Sequence, residues 1–156
     1  MKSKNNIIRS ITFLAAALFL MSTQAFSQDV VGTWKTIDDE TGKARSHVKV
    51  WKNKKGVVFG RIVKILDPKK QNAKCDKCPD KREGIFGQKG EPIMNMVMMS
   101  GLTKDDDQYS GGRIFDPNKG KSYKCYIELK GADKLKVRGY IGSRYLGRTQ
   151  YWYRVK

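Results

Sequence analysis

Three cysteines and one histidine are the side chains of this sequence best suited to bind a metal or to do redox chemistry. Cys75 and Cys78 form a Cys-x-x-Cys motif, Cys125 lies in an alternating apolar segment, and His47 alternates with basic residues. Together they would make a formal Cys₃His zinc set. Because basic residues flank His47, and because Pro79 rather than a helix follows the motif, we predict neither a metal centre nor a thioredoxin-type redox site.

Motifs for other kinds of catalysis are missing from the sequence. It has no Gly-x-Ser-x-Gly, no His-Glu-x-x-His and no phosphate-binding Gly-x₄-Gly-Lys. The consecutive aspartates at 105–107 lack the Gly and Glu that a calcium loop needs at its sixth and twelfth positions, so we interpret them as a solvated turn. The sequence therefore predicts no catalytic residue and no cofactor, and an enzyme of unrecognised chemistry is the least favoured class.

The first 27 residues have the pattern of a secretory signal peptide. Lys2, Lys4 and Arg9 precede the apolar run 11–21, which is shorter than the roughly 20 residues of a membrane-spanning helix. Small residues at positions 25 and 27 predict cleavage after Ser27. We therefore expect an exported bacterial protein, periplasmic or extracellular, whose mature domain of residues 28–156 has no transmembrane segment.

Export changes the expected chemistry of the thiols. Cysteines in an oxidising compartment usually pair, and three connectivities are open to these three. We prefer a disulfide between Cys75 and Cys78, because an apolar strand face accounts for Cys125 as a small buried filler.

Apolar and polar residues alternate with period two through most of the mature chain, which predicts strands. Eight strands are predicted. Most are separated by short turn sequences rich in Gly, Asp, Asn and Pro, which favour sequential antiparallel hairpins. The candidate strands are 31–37, 44–51, 57–66, 93–99, 109–115, 122–130, 134–141 and 148–155. Such strands, buried on one face, can close as a barrel or stack as a sandwich. Since closure removes both exposed sheet edges, we predict an all-β fold with an antiparallel barrel of about eight strands.

One connection, 67–92, is too long to be a simple turn. It is polar and contains three prolines and three glycines. We expect it to be a lid or a flap, which together with the methionine-rich segment 94–99 could cover the mouth of the barrel.

Four polar side chains fall near the centres of candidate strands: Arg61, Arg113, Arg138 and Tyr140. Alternation places Arg61 on the same face as Phe59 in the third strand, so either Arg61 faces a wet interior or that strand is bulged. A charged side chain there is costly unless it meets water, a partner or a ligand. We therefore select Arg61 and Arg113 as anchors for an acidic head group inside the barrel. Arg138 and Tyr140 are weaker candidates, because alternation also allows them to face solvent.

A Gly-Thr-Trp string at 32–34 and an arginine in the last strand resemble the end plug of lipocalins and other calycins. The resemblance implies that Gly32 and Trp34 lie at the closed end of a barrel and that the arginine stacks on the indole, a contact worth roughly 0.5–2 kcal/mol. Arg154 is our first choice and Arg148 the alternative. An ordinary core tryptophan with surface arginines is the competing interpretation.

Longer strings carry a closer resemblance: GTW at 32–34, SGL at 100–102, GGRIFDPNKGKSY at 111–123 and VRGYIGSRYLGRTQYWYRV at 137–155. They are similar to the bacterial family named domain of unknown function 2147, over nearly the whole mature chain. The resemblance implies an exported lipocalin-like barrel with no established reaction.

The sequence favours two classes of function. An eight-stranded barrel can enclose one small, apolar or amphipathic ligand. Alternatively, the formal net charge of +17, of which the mature domain keeps +14 once Lys2, Lys4 and Arg9 are removed, can attract an anionic envelope polymer or a partner protein. We expect no nucleic-acid partner, because export separates the chain from nucleic acid and no binding motif is present. The sequence makes no prediction of oligomeric state.

Overall fold

The computed structural model describes residues 29–39 and 41–156. Its eight antiparallel strands follow one another around a closed barrel, in which the last strand pairs with the first. They are β1 Gly32–Ile37, β2 Ala44–Lys52, β3 Val58–Ile65, β4 Val97–Asp105, β5 Gln108–Asp116, β6 Lys121–Leu129, β7 Lys134–Tyr140 and β8 Gly147–Arg154, with one 3₁₀ turn at Pro68–Lys70. The predicted all-β, eight-stranded antiparallel barrel is confirmed.

The structure does not test the predicted signal peptide. The signal peptide 1–27 and its cleavage site lie outside the described residues. Within the described ranges, no helix has the length and apolar character needed to cross a bilayer.

Side chains of alternating residues fill the barrel from inside. Near the end where β1 begins and β8 ends, which we name the closed end, the interior is packed solid. Twelve side chains there and in the middle of the barrel expose at most 2% of their surface: Val30, Trp34, Val48, Val50, Val58, Met99, Leu102, Cys125, Ile127, Leu135, Val137 and Trp152. We name the opposite end, where β8 begins, the open end.

The fourth strand lies further along the chain than the predicted 93–99, at Val97–Asp105. Asn95 adopts a left-handed backbone conformation with φ 67°. The N–H of Met96 donates to the carbonyl of Ile93, so this segment is a turn. Its apolar side chains pack on the core from the turn, and alternation by itself does not separate that case from a strand.

The long connection between β3 and β4 is a flap on the outer wall of the barrel. Phe115 points outward from β5, and its ring stacks on that of Phe86 at a centroid distance of 5.7 Å. Cys75 and Cys78, bonded to each other, and Met96 complete this buried cluster. The flap therefore has a small apolar core of its own, separate from the barrel interior.

The cysteine arrangement predicts the result of thiol labelling. Cys125 is completely buried, and burial raises the pKa of its thiol well above the usual range. We expect a thiol reagent to label nothing in the native protein and one cysteine after unfolding without reductant, as counted by mass spectrometry. Labelling of three cysteines in the unfolded, unreduced protein would contradict the Cys75–Cys78 disulfide.

Candidate functional site

A cation–aromatic pair closes one end of the barrel. The guanidinium carbon of Arg154 lies 4.2 Å from the centroid of the buried Trp34 ring. The same guanidinium donates to the backbone carbonyls of Asp29 at 2.8 Å, Val31 at 2.9 Å and Ala132 at 2.8 Å. It therefore ties the segment before β1 to the turn between β6 and β7, and its role at the closed end is structural.

Gly32 and Val30 complete this plug. A Cβ on Gly32 would lie 2.5 Å from the Nη1 of Arg154, so only glycine leaves room for the guanidinium. The indole N–H of Trp34 donates to the carbonyl of Val30 at 2.8 Å. The buried indole is thereby hydrogen-bonded as well as stacked.

Arg148, our alternative partner for Trp34, lies instead at the open end, because β8 runs the whole height of the barrel. Its Nε donates to Oδ2 of Asp39 in the turn between β1 and β2. The Nε2 of Gln150 donates to the same oxygen at 3.1 Å, and the indole N–H of Trp152 donates to Oε1 of Gln150 at 3.3 Å. A connected polar chain thus runs along the inner face from the rim down to a buried tryptophan.

Other inner-face residues surround this chain at the open end. The hydroxyls of Thr36 and Ser46 lie 2.8 Å apart on β1 and β2. On the far wall, Ile114 and Tyr123 are only partly buried, in contrast to Cys125 deeper on the same face. We name this set the open-end site; it comprises Thr36, Asp39, Ser46, Ile114, Tyr123, Arg148 and Gln150.

The prediction that Arg61 points into the barrel is wrong, and the alternative, a bulged third strand, is observed: the pairing of β3 with β4 shifts register on both sides of Gly60. Gly60, its neighbour in β3, takes the inner position, and a Cβ there would lie 3.1 Å from that of Met99. Arg61 is exposed on the outer face, 5.5 Å above the ring of Trp51, which stacks on Phe59. The interior accepts a glycine here because Met99 fills the space, while two aromatic side chains cover the outer wall.

Arg113, Arg138 and Tyr140 also lie on the outer wall, so the structure brings none of the four proposed anchors into the interior. Arg113 is exposed, and its Nη2 donates to the Ser122 hydroxyl at 2.6 Å. Arg138 donates to the backbone of the loop between β7 and β8. Tyr140 is buried on the outside, with its ring 6.4 Å from that of Tyr126.

Arg148 was not among the predicted ligand anchors, although the sequence carries a signal that it lies on the inner face. Arg148 and Trp152 are four residues apart on one strand, so their side chains lie on the same face. Because the tryptophan is buried, that face is the inner one. No comparable signal exists for Asp39, which lies in a turn 109 residues away in the chain.

The four residues considered for zinc are not brought together. Two of them are bonded to each other, Cys125 is buried in the interior, and His47 lies on β2 between Lys35 of β1 and Lys64 of β3. Desolvation, with the charges of the two lysines, lowers the pKa of His47 below 6.5. No group of three or more metal-binding side chains occurs among residues 29–39 and 41–156.

Two open grooves lie elsewhere on the described part of the chain, and no residue of the open-end site lines either of them. One, of about 450 Å³, runs between the flap and the barrel and is lined by Arg61, Arg82 and Met94, among others. The other, of about 480 Å³, lies at the closed end beside Lys52 and Tyr109. Arg61 therefore borders a groove on the outer surface rather than the barrel interior.

Comparison with known proteins agrees with this architecture. Residues 32–154 match the family described as "Uncharacterized protein conserved in bacteria (DUF2147)". A solved structure, protein HP1028 from the human pathogen Helicobacter pylori, described as belonging to the lipocalin family, is similar in fold with a TM-score of 0.69. It is 19% identical, and the match covers 82% of this chain and 84% of that one. No curated protein sequence is significantly similar. The chain therefore belongs to the bacterial family DUF2147, and its fold is a lipocalin-like barrel.

Proposed function

We propose that the protein binds a small, partly apolar molecule with a carboxylate group at the open-end site. One observation carries this proposal: Arg148 and Gln150 both donate to a single carboxylate oxygen of Asp39. Two side chains on the inner face thus already form a carboxylate-binding pair. Charge-assisted hydrogen bonds from arginine to a carboxylate are among the strongest in proteins, so an acidic ligand can compete with Asp39 for these donors.

The apolar part of the ligand has a place on the opposite wall. Ile114 and Tyr123 are partly exposed there and pack beside Gly139, the residue paired with Arg148, where a Cβ would lie 3.3 Å from Cγ2 of Ile114 and 3.5 Å from Cβ of Tyr123. Below this level the barrel is filled by side chains. The ligand therefore occupies the upper part of the barrel, with its acidic group at the rim.

Export remains part of this proposal. The sequence of residues 1–27 supports it, and the Cys75–Cys78 disulfide is of the kind that persists in an oxidising compartment. The ligand would then be a molecule of the periplasm or of the surroundings of the cell.

Titration with decanoate and decanol, followed by tryptophan fluorescence, tests the proposal. We expect decanoate to bind several-fold more tightly than decanol, because only the carboxylate replaces that of Asp39. Arg148→Ala should weaken decanoate binding about 2–5-fold, because the Arg148 side chain is about half exposed and a charge pair at an exposed position contributes about 0.2–1 kcal/mol. Arg113→Ala, which removes an outer arginine, is the control and should leave the affinity unchanged. Equal affinity for both probes, or an equal loss in Arg113→Ala, would reject the proposal.

A second function, contact with an anionic surface, is favoured by the outer wall. Arg113, Lys124 and Arg138 lie on neighbouring strands there, and none has a carboxylate partner within the described part of the chain. Ionic strength separates the two functions, because binding to a surface through several exposed cations falls more steeply with added salt than binding of one carboxylate through Arg148.

A further inference from the structure

The loop that joins β7 to β8 presents an unusual group of apolar side chains to solvent. Ile141 is 66% exposed, Tyr145 93% and Leu146 70%. Single exposed apolar residues are normal on a protein surface, but three within six residues form a patch of the kind that contacts a membrane or a partner. The loop leaves β7 and enters β8 at the open end, and it lies back against the outer wall, where Arg144 reaches Asp105 at the end of β4.

The loop is held in one conformation by hydrogen bonds. The N–H of Ile141 donates to the carbonyl of Leu146 at 3.0 Å, and the N–H of Leu146 donates to that of Ser143 at 3.0 Å. The guanidinium of Arg138 donates to the carbonyls of Arg144 at 2.8 Å and of Tyr145 at 3.2 Å. The apolar side chains are therefore displayed by an ordered backbone, which lowers the entropy lost when they are immobilised.

Positive charge borders this apolar tip. Arg138 and Lys124 lie on the outer wall directly beside the loop, and Lys124 pairs across strands with Arg113. Arg144, within the loop, is 5.1 Å above the Tyr126 ring and only loosely paired, with Asp105 at 3.8 Å. Exposed apolar side chains next to arginines and lysines match the chemistry of an anionic bilayer surface, which offers acyl chains and phosphate groups.

From this arrangement we infer that the loop of residues 141–146 inserts into the surface of a membrane that contains anionic phospholipids. The apolar side chains enter the boundary between head groups and acyl chains, and the neighbouring cations bind the phosphates. A protein partner fits less well, because a stable protein interface uses about 20–30 residues on each side and this tip offers three large apolar ones. The inference is separate from the ligand proposal, since Arg148 has no part in it.

Co-sedimentation of the mature protein with vesicles tests the inference. We expect binding to vesicles of phosphatidylcholine with phosphatidylglycerol and little binding to phosphatidylcholine alone. The double variant Tyr145→Ser/Leu146→Ser should lower the partition coefficient at least about tenfold, because it removes most of the apolar tip. Val31→Ser is the matched control; it removes an apolar side chain that is 39% exposed at the closed end and should bind as the wild type does.

A pair of charge variants separates a directed contact from general attraction. Arg144→Gln and Lys54→Gln each remove one positive charge, the first in the loop and the second in the exposed turn at the closed end. We expect Arg144→Gln to weaken vesicle binding several-fold more than Lys54→Gln does. Equal losses in these two variants, or wild-type binding by the double variant, would overturn the inference. So would a change in oligomeric state of the double variant without vesicles, because it would identify the tip as a contact between copies of the chain.

Discussion

Replacing Arg154 with alanine is expected to lower the free energy of unfolding by about 2–4 kcal/mol. The guanidinium donates to three backbone carbonyls and stacks 4.2 Å from the centroid of the Trp34 ring. Hydrogen bonds from a charged group contribute about 1.5–3 kcal/mol each in favourable cases, and the cation–π contact about 0.5–2 kcal/mol. These values are not additive, so the expected loss is smaller than their sum. Urea denaturation with a constant m-value measures it.

Two further variants test the geometry of the plug. Arg154→Lys keeps the charge but not the planar fork, so it should recover less than half of the lost stability. Arg113→Ala removes an exposed arginine and should change the free energy of unfolding by less than about 0.5 kcal/mol. If Arg154→Ala were no more harmful than Arg113→Ala, the closed end would not depend on this contact.

Gly120→Ala should detach the flap from the barrel or destabilise the protein by about 3 kcal/mol. Gly120, in the turn between β5 and β6, has φ 65°, and a Cβ there would overlap the carbonyl oxygen of Lys77. That oxygen belongs to backbone held by the disulfide loop, so it cannot move aside as the end of a flexible side chain could. Positive φ costs about 1–2 kcal/mol for alanine, and the steric overlap adds a similar amount.

Gly56→Ala is the matched control for this prediction. Gly56 has φ 76° in the turn between β2 and β3, and nothing lies within 4 Å of the position of its Cβ. It should therefore show only the backbone cost, about 1–2 kcal/mol. Limited proteolysis of the 67–92 segment reports the flap directly: Gly120→Ala should speed cleavage there, and Gly56→Ala should not. Equal cleavage rates in the two variants would show that the flap does not depend on its contact with this turn.

The sequence by itself determined the strands and the plug. Alternation and turn chemistry predict eight segments, and most lie within one or two residues of the observed strands, because a strand buried on one face has period two. The two-residue spacing of Trp152 and Arg154 also predicted that both side chains lie on the same face of the last strand. These features depend on residues close together in the chain or on one strand, so local patterns report them.

Tertiary structure alone decided which face of β3 is inside and what lies at the open end. Phe59 looks like a core residue but stacks on Trp51 outside, while Gly60 faces the interior because Met99 fills its space. Asp39 and Arg148 are 109 residues apart and meet only because the barrel closes between β1 and β8. A hydrophobic residue is predicted to be buried, but its type does not say which neighbouring side chain covers it. Contacts that form only when the barrel closes join residues far apart in the chain, so no local sequence pattern predicts them.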